Sequence, residues 1–271
     1  MAGMVEAHRP ARVGPLLLAG AVAAGLALSA IAALAASPGR TILWLAVRAC
    51  VADSRLLETP FPCLRVDLSN GEDRGYVVLR APLGRSETVL APTRKVVGVE
   101  DLWLQSPDAP NYFAAAWRAR FLLEENGRRS PSAAEFALGV NSGLIRSQDQ
   151  LHIHMGCLAP STKQALTAAA RRLPIGAWRS TAEIVTGARL WVFRTGTNDI
   201  DEVHPFRLAA EGLLGPTGNR AELTIFLAQV QIPNDEFVVL ASRGGGPRDR
   251  FAAEELLEPA CRLQPAPSSS N

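Results

Sequence analysis

Two kinds of apolar pattern run along the chain. The first is a continuous block. From Val13 to Gly39 there is no charged residue, and Leu16 to Ala36 is almost entirely Leu, Ala, Val, Ile and Gly. About 20 such residues at about 1.5 Å rise each span a hydrocarbon core, so 13–37 is read as a transmembrane anchor. A cleaved signal segment is the alternative, since Ala33-Leu34-Ala35 has the small-x-small form of a cleavage site. Arg9 and Arg12 before the block are offset by Arg40 and Arg48 after it, which leaves the positive-inside bias weak.

The second kind is short and interrupted. Thr41–Val47 reads as a short helix, Gly75–Leu79 and Glu87–Ala91 as strands, and Phe136–Val140 and Leu151–Leu158 as two more. Asn111 caps a helix from Tyr112 to about Asn126, ended by Gly127. Further helices are predicted from Ser161 to about Leu173, over Pro205–Leu214 and from about Phe251 to Cys261. Leu190–Phe193 is a strand. Ala221–Gln231 and Glu236–Ser242 flank a Pro233-Asn234-Asp235 turn, a hairpin signal. Strands at hairpin spacing among helices predict an α+β fold with antiparallel pairing. The expected organisation is an N-terminus (1–12), the anchor (13–37), one domain (41–262) and a Pro/Ser-rich tail (263–271).

Composition narrows the function classes. The chain of 271 residues is 48% hydrophobic and 20% charged, with 28 Lys+Arg against 26 Asp+Glu. That excludes an intrinsically disordered chain, and a net charge of +2 gives no electrostatic reason to expect nucleic acid as partner. Arg94, Lys95, Arg118 and Arg120 could meet anionic headgroups, or simply form a solvated face. All four cysteines follow the apolar block. An even count beyond an export signal fits an oxidising compartment. Cys50–Cys63 pair by proximity and Cys157–Cys261 by elimination; four buried free thiols are the alternative.

Of four histidines, two stand together in Gln148-Asp149-Gln150-Leu151-His152-Ile153-His154-Met155-Gly156-Cys157. Alternation places Gln148, Gln150, His152, His154 and Gly156 on one strand face and Leu151, Ile153, Met155 and Cys157 on the other. This predicts a half-buried strand with two imidazoles on its polar side. A metal site would need a third ligand, and no Asp, Glu or His follows until Glu183, so no metal is expected. A paired His-x-Thr/Ser phosphoesterase motif is also missing, because Met155 and Gly156 follow. Nucleophilic catalysis at phosphorus remains, in which an imidazole forms a phosphoramidate that water cleaves. Upstream, Asn141-Ser142-Gly143-Leu144-Ile145-Arg146 offers amide, hydroxyl and guanidinium groups of the kind that contact phosphate, or an ordinary turn.

Leu151-His152-Ile153-His154-Met155 resembles the end of the histidine-triad motif, His-φ-His-φ-His-φ-φ, and Asn141 to Gln148 is similar to the phosphate loop of that superfamily. The chain resembles most the bacterial CDP-diacylglycerol pyrophosphatase family. The landmarks are the apolar N-terminus, Cys50 and Cys63, Gly75–Leu79, Pro92-Thr93, Ala116-Trp117 with Ala119-Arg120, Asn141-Ser142, Arg146, Gln148, His152-Ile153-His154, Cys157 and Cys261. The resemblance implies a histidine-triad-like antiparallel sheet with packed helices. It implies hydrolysis of CDP-diacylglycerol, a lipid-linked nucleotide, to CMP and phosphatidate, without a cofactor. The domain would lie on the periplasmic side of the bacterial inner membrane. His152 matches the nucleophilic histidine, and His154 the one that contacts the phosphates and helps the leaving group. Asn141, Ser142, Arg146 and Gln148 match the phosphate side. One departure stands out: Gln150 replaces the first triad histidine. An amide still donates and accepts hydrogen bonds but does not titrate, so Gln150 is expected to orient the substrate site. The alternatives are a non-catalytic anchored module that binds a nucleotide or lipid headgroup, and a nucleotidyl transferase. Oligomeric state stays open.

Overall fold

A computed structural model describes residues 39–80, 87–123, 130–181, 189–215, 218–244, 251–258 and 261. The chain divides into two units, 1–38 and 39–271. The apolar block at 13–37 and the tail at 263–271 lie outside the described residues. Among the described residues no helix is long and apolar enough to cross a membrane.

The second unit is α+β and is organised by one antiparallel sheet. Its strands are β1 (Arg65–Asp67), β2 (Tyr76–Arg80), β3 (Thr88–Pro92), β4 (Phe136–Val140), β5 (Ile153–Leu158), β6 (Trp178–Thr181), β7 (Leu190–Arg194), β8 (Leu223–Gln231), β9 (Asp235–Arg243) and β10 (Leu257–Glu258). They lie in the order β1-β2-β3-β5-β4-β8-β9-β7-β6, and β10 pairs with β5. The predicted hairpin is β8–β9, with Gln231 opposite Asp235. β1 and β6 fall where no element was predicted. Both are edge strands of three and four residues with charged side chains, so their alternation is too short to read.

Among the described residues, four α-helices accompany the sheet: α1 (Ile42–Leu56), α2 (Tyr112–Arg118), α3 (Pro160–Arg171) and α4 (Pro205–Ala209). α1 runs nine residues beyond the predicted end at Val47. Leu43, Ala46, Val47, Cys50 and Val51 form a buried stripe at helical spacing, while Arg48 leaves on the other face to pair with Glu72. Asn111 caps α2 as predicted, accepting from the Ala114 N–H at 3.1 Å. The helix continues into a 3-10 turn over Ala119–Leu123, and at the junction the Ala119 N–H donates to the Ala115 carbonyl.

Apolar side chains cover both faces of the sheet. On one, Leu138, Leu151, Ile153, Met155, Leu227 and Val239 pack with α2, whose Trp117 contacts Phe136 and Phe237 at 5.2 and 4.8 Å between ring centroids. On the other, Ala137, Phe226, Ala228 and Leu240 pack with Leu166 of α3 and with Phe251, Ala253, Leu256 and Leu257. Those last residues belong to the segment predicted as a terminal helix, and that expectation is corrected. Ala253–Leu256 is a 3-10 turn and Leu257–Glu258 is β10. Helix propensity in Phe251–Cys261 is overridden because β5 offers an unpaired edge beyond Met155, where its pairing with β3 stops. Leu257 and Glu258 take that edge opposite Leu158 and Cys157.

Two disulfides join Cys50 to Cys63 and Cys157 to Cys261. The first ties α1 to the segment entering β1. The second ties β5 to the residues just past β10.

The approach of this segment to the sheet depends on a missing side chain. A Cβ on Gly139 would lie 2.6 Å from the Ala253 Cβ, and one on Gly156 would lie 3.3 Å from the Leu257 Cβ. Gly139→Ala is therefore expected to destabilise the domain by about 1–3 kcal/mol through overpacking, more than the ~0.4–1 kcal/mol that losing glycine freedom returns. Adding Ala253→Gly should recover part of the loss in urea denaturation. An equal midpoint for Gly139→Ala and the parent would count against this packing. Alkylation of the denatured chain without reductant should label no cysteine, and after reduction all four.

Candidate active site

His152 and His154 flank the start of β5, and the structure buries the face that was predicted to be polar and half open. His152 is 9% and His154 5% exposed, and Gln150 is fully buried. At His154 the segment carrying Ala253 and Glu254 contributes to this burial. His154 stands opposite Gly139 on β4, the residue on which Ala253 rests.

Each imidazole has a different environment. His152 Nδ1 lies 2.8 Å from the Gln150 carbonyl oxygen. A carbonyl only accepts, so Nδ1 carries the proton and Nε2 keeps its lone pair. Burial pushes the His152 pKa down to about 4, with a further contribution from His154, whose ring centroid is 5.0 Å away. The Arg146 charge adds to the depression, whereas the Gln150 carbonyl and Glu87 act against it. At neutral pH His152 is a neutral imidazole with its proton on Nδ1. His154 lies between two carboxylates: Glu87 Oε2 is 3.6 Å from Nδ1 and Glu254 Oε2 is 3.8 Å from Nε2. Its Nδ1 is buried without a hydrogen-bond partner.

Asn141 joins this pair. Its Nδ2 donates to Glu254 Oε2 at 2.7 Å and lies 3.4 Å from His154 Nε2, and its Oδ1 accepts from the Ala253 N–H at 2.8 Å. Ser142 is buried beside it, its backbone N–H donating to Thr224 Oγ1.

The rest of the loop is held by charge. Arg146 is bidentate on Glu100, with both N–O distances 2.7 Å, and also reaches Asp149. Asp149 receives two hydrogen bonds from Arg40. Its carboxyl is held down at about 2, chiefly by Arg40 and also by Arg146. Gln148 points away from the histidines; its Oε1 accepts from the Leu43 N–H at the start of α1. Gln150 donates from Nε2 to the Pro92 and Arg94 carbonyls at 2.9 and 3.0 Å. Its side chain thus pins the backbone whose carbonyl orients His152, while Oε1 stays buried and unpartnered.

The structure therefore brings His152, His154, Asn141 and Ser142 together and ties Arg146, Gln148 and Gln150 into the supporting loop. Arg94, Lys95, Arg118 and Arg120 have partners within the chain, namely the Trp103 ring, the Asp149 carbonyl with the Trp44 ring, Asp201 and the Trp117 carbonyl. Glu87 and Glu254 escape sequence reasoning. Neither is near His154 in the chain, and Glu254 sits in a segment whose composition signals helix. Among the described residues no group of three His, Cys, Asp or Glu side chains has metal-ligating geometry.

The His152 environment is measurable. Imidazole nitrogen shifts should show the Nδ1–H tautomer and a titration midpoint near 4. His154→Gln should raise that midpoint while leaving it below the ordinary 6.5, because burial is the larger cause. A His152 midpoint at or above 6.5 in the parent would contradict the buried site.

Comparison with known proteins identifies the family of the chain. Residues 38–265 match the family described as CDP-diacylglycerol pyrophosphatase. A CDP-diacylglycerol pyrophosphatase from Yersinia pestis is 31% identical over 225 residues, which cover 82% of this chain and 84% of that protein. The chain is a hydrolase and belongs to the CDP-diacylglycerol pyrophosphatase family.

Proposed function

We propose that this protein hydrolyses CDP-diacylglycerol to CMP and phosphatidate, with His152 as the nucleophile. The observation that carries the chemistry is the hydrogen bond from His152 Nδ1 to the Gln150 carbonyl, which leaves Nε2 unprotonated in a buried site. Nε2 attacks the phosphorus of the cytidylyl group. The bond from that phosphorus to the bridging oxygen breaks, and phosphatidate leaves with the electron pair. A phosphate leaving group has a second pKa near about 6, so it departs without strong acid assistance. Water then attacks the same phosphorus, the P–N bond breaks, CMP departs and the lone pair returns to Nε2. His154 and Asn141 contact the phosphates, with Ser142 beside them. Arg146 contributes positive charge from within its carboxylate pair, and Gln148 and Gln150 hold the loop. Gln150 already has a structural task in its bonds to Pro92 and Arg94, which supports an active site without the first triad histidine.

The same reading extends to place. An apolar block that anchors the chain keeps an enzyme beside a lipid substrate, and two disulfides fit an oxidising compartment. We place the domain on the periplasmic face of the bacterial inner membrane and relate its sheet to the histidine-triad superfamily through the His-x-His strand and its phosphate-side loop.

The test is CMP release from CDP-diacylglycerol in detergent, followed for the intact chain. The parent should release CMP, and His152→Ala should lower the rate by about 10³-fold or more while remaining folded. Rapid quenching without acid should trap a cytidylyl adduct on His152. The rate of adduct formation should persist as pH falls below 6.5 and decline only toward 4, where His152 protonates. CMP binding without turnover by a folded parent would point to the binding module, and transfer to an acceptor other than water to the transferase.

A further inference from the structure

Glu254 sits where an anionic ligand would. One carboxylate oxygen accepts from Asn141 Nδ2 at 2.7 Å and lies 3.8 Å from His154 Nε2. Asn141 and His154 are the two groups assigned above to the phosphates, so a role for Glu254 at that site rests on the proposed function. The backbone around Glu254 is fixed. The Ala253 N–H donates to Asn141 Oδ1, the Ala159 N–H donates to the Leu256 carbonyl, and Leu257 and Glu258 pair with β5. The Glu254 side chain itself is one quarter exposed, so it has a route to solvent that does not require the segment to lift.

We propose that Glu254 is an internal occupant of the phosphate site: its carboxylate holds Asn141 and His154 until a phosphoryl group of the ligand displaces it into solvent. The exchange substitutes one anionic acceptor for another, and no covalent bond changes. A buried donor is costly to leave unpaired, and the resident carboxylate prevents that in the empty site. It also sets a threshold. A ligand without a charged phosphoryl oxygen neither replaces the bond to Asn141 nor tolerates the nearby negative charge. A monophosphate product binds more weakly than the same pocket would allow without Glu254, which favours its release.

The experiment is titration calorimetry of the intact chain in detergent with CMP as the probe. Glu254→Gln keeps a carbonyl acceptor for Asn141 and removes the charge. Its CMP affinity should exceed that of the parent by about tenfold or more, since like charges this close repel strongly in a partly buried site. Binding gained by the variant where the parent shows none counts the same way. Unchanged or weaker CMP binding overturns the proposal, as does no binding by either. If Glu254→Gln does not fold, Glu254→Ala is read by the same criterion. The readout is binding and does not depend on turnover. A parent that fails to hydrolyse CDP-diacylglycerol would sink the proposed function alone, and hydrolysis with unchanged CMP affinity would sink only the role of Glu254.

Discussion

Ala253 rests on the sheet where Gly139 has no side chain. The character of the site depends on that contact. It brings the Ala253 N–H and the Glu254 carboxylate onto opposite ends of the Asn141 amide. It sets Glu254 against His154, 3.8 Å from Nε2. At His152, burial outweighs the favourable carbonyl contact and keeps the ring neutral.

The second support is ionic. Arg40, Arg146, Glu100 and Asp149 form a network that fixes the loop between β4 and β5 and ties it to the start of α1. A single exposed pair of this kind contributes little. A buried bidentate guanidinium with two carboxylates specifies geometry more firmly. His154 Nδ1 and Gln150 Oε1 are buried without a hydrogen-bond partner, as are Arg220 Nε and Ser242 Oγ elsewhere in the fold.

Local patterns with a strong period were legible from the residues alone. β4 was found with both its ends, the β8–β9 hairpin by its turn residues, and α2 by its Asn111 cap. The His-x-His strand was legible because two scarce residues share one face. The terminal segment was misread, since Ala, Glu and Leu favour helix in isolation and only the open edge of β5 draws Leu257 and Glu258 into the sheet. The same error hid Glu254. The polar face of β5 was read as exposed for a related reason: alternation distinguishes two faces but says nothing of what lies across either. The full length of α1 was missed because Arg48 interrupts the run of apolar residues without interrupting the helical stripe.

The Cys157–Cys261 bridge spans 104 residues, and Asn141 and Glu254 are 113 apart. Protein synthesis is directional, so both histidines leave the ribosome long before Ala253 and Glu254. Until Glu254 arrives, the Asn141 amide and His154 lack the carboxylate that lies against them in the finished fold. The surroundings of His154 are thus completed by one of the last described stretches of the domain to be translated, and a nascent chain stopped short of it carries both histidines without that carboxylate.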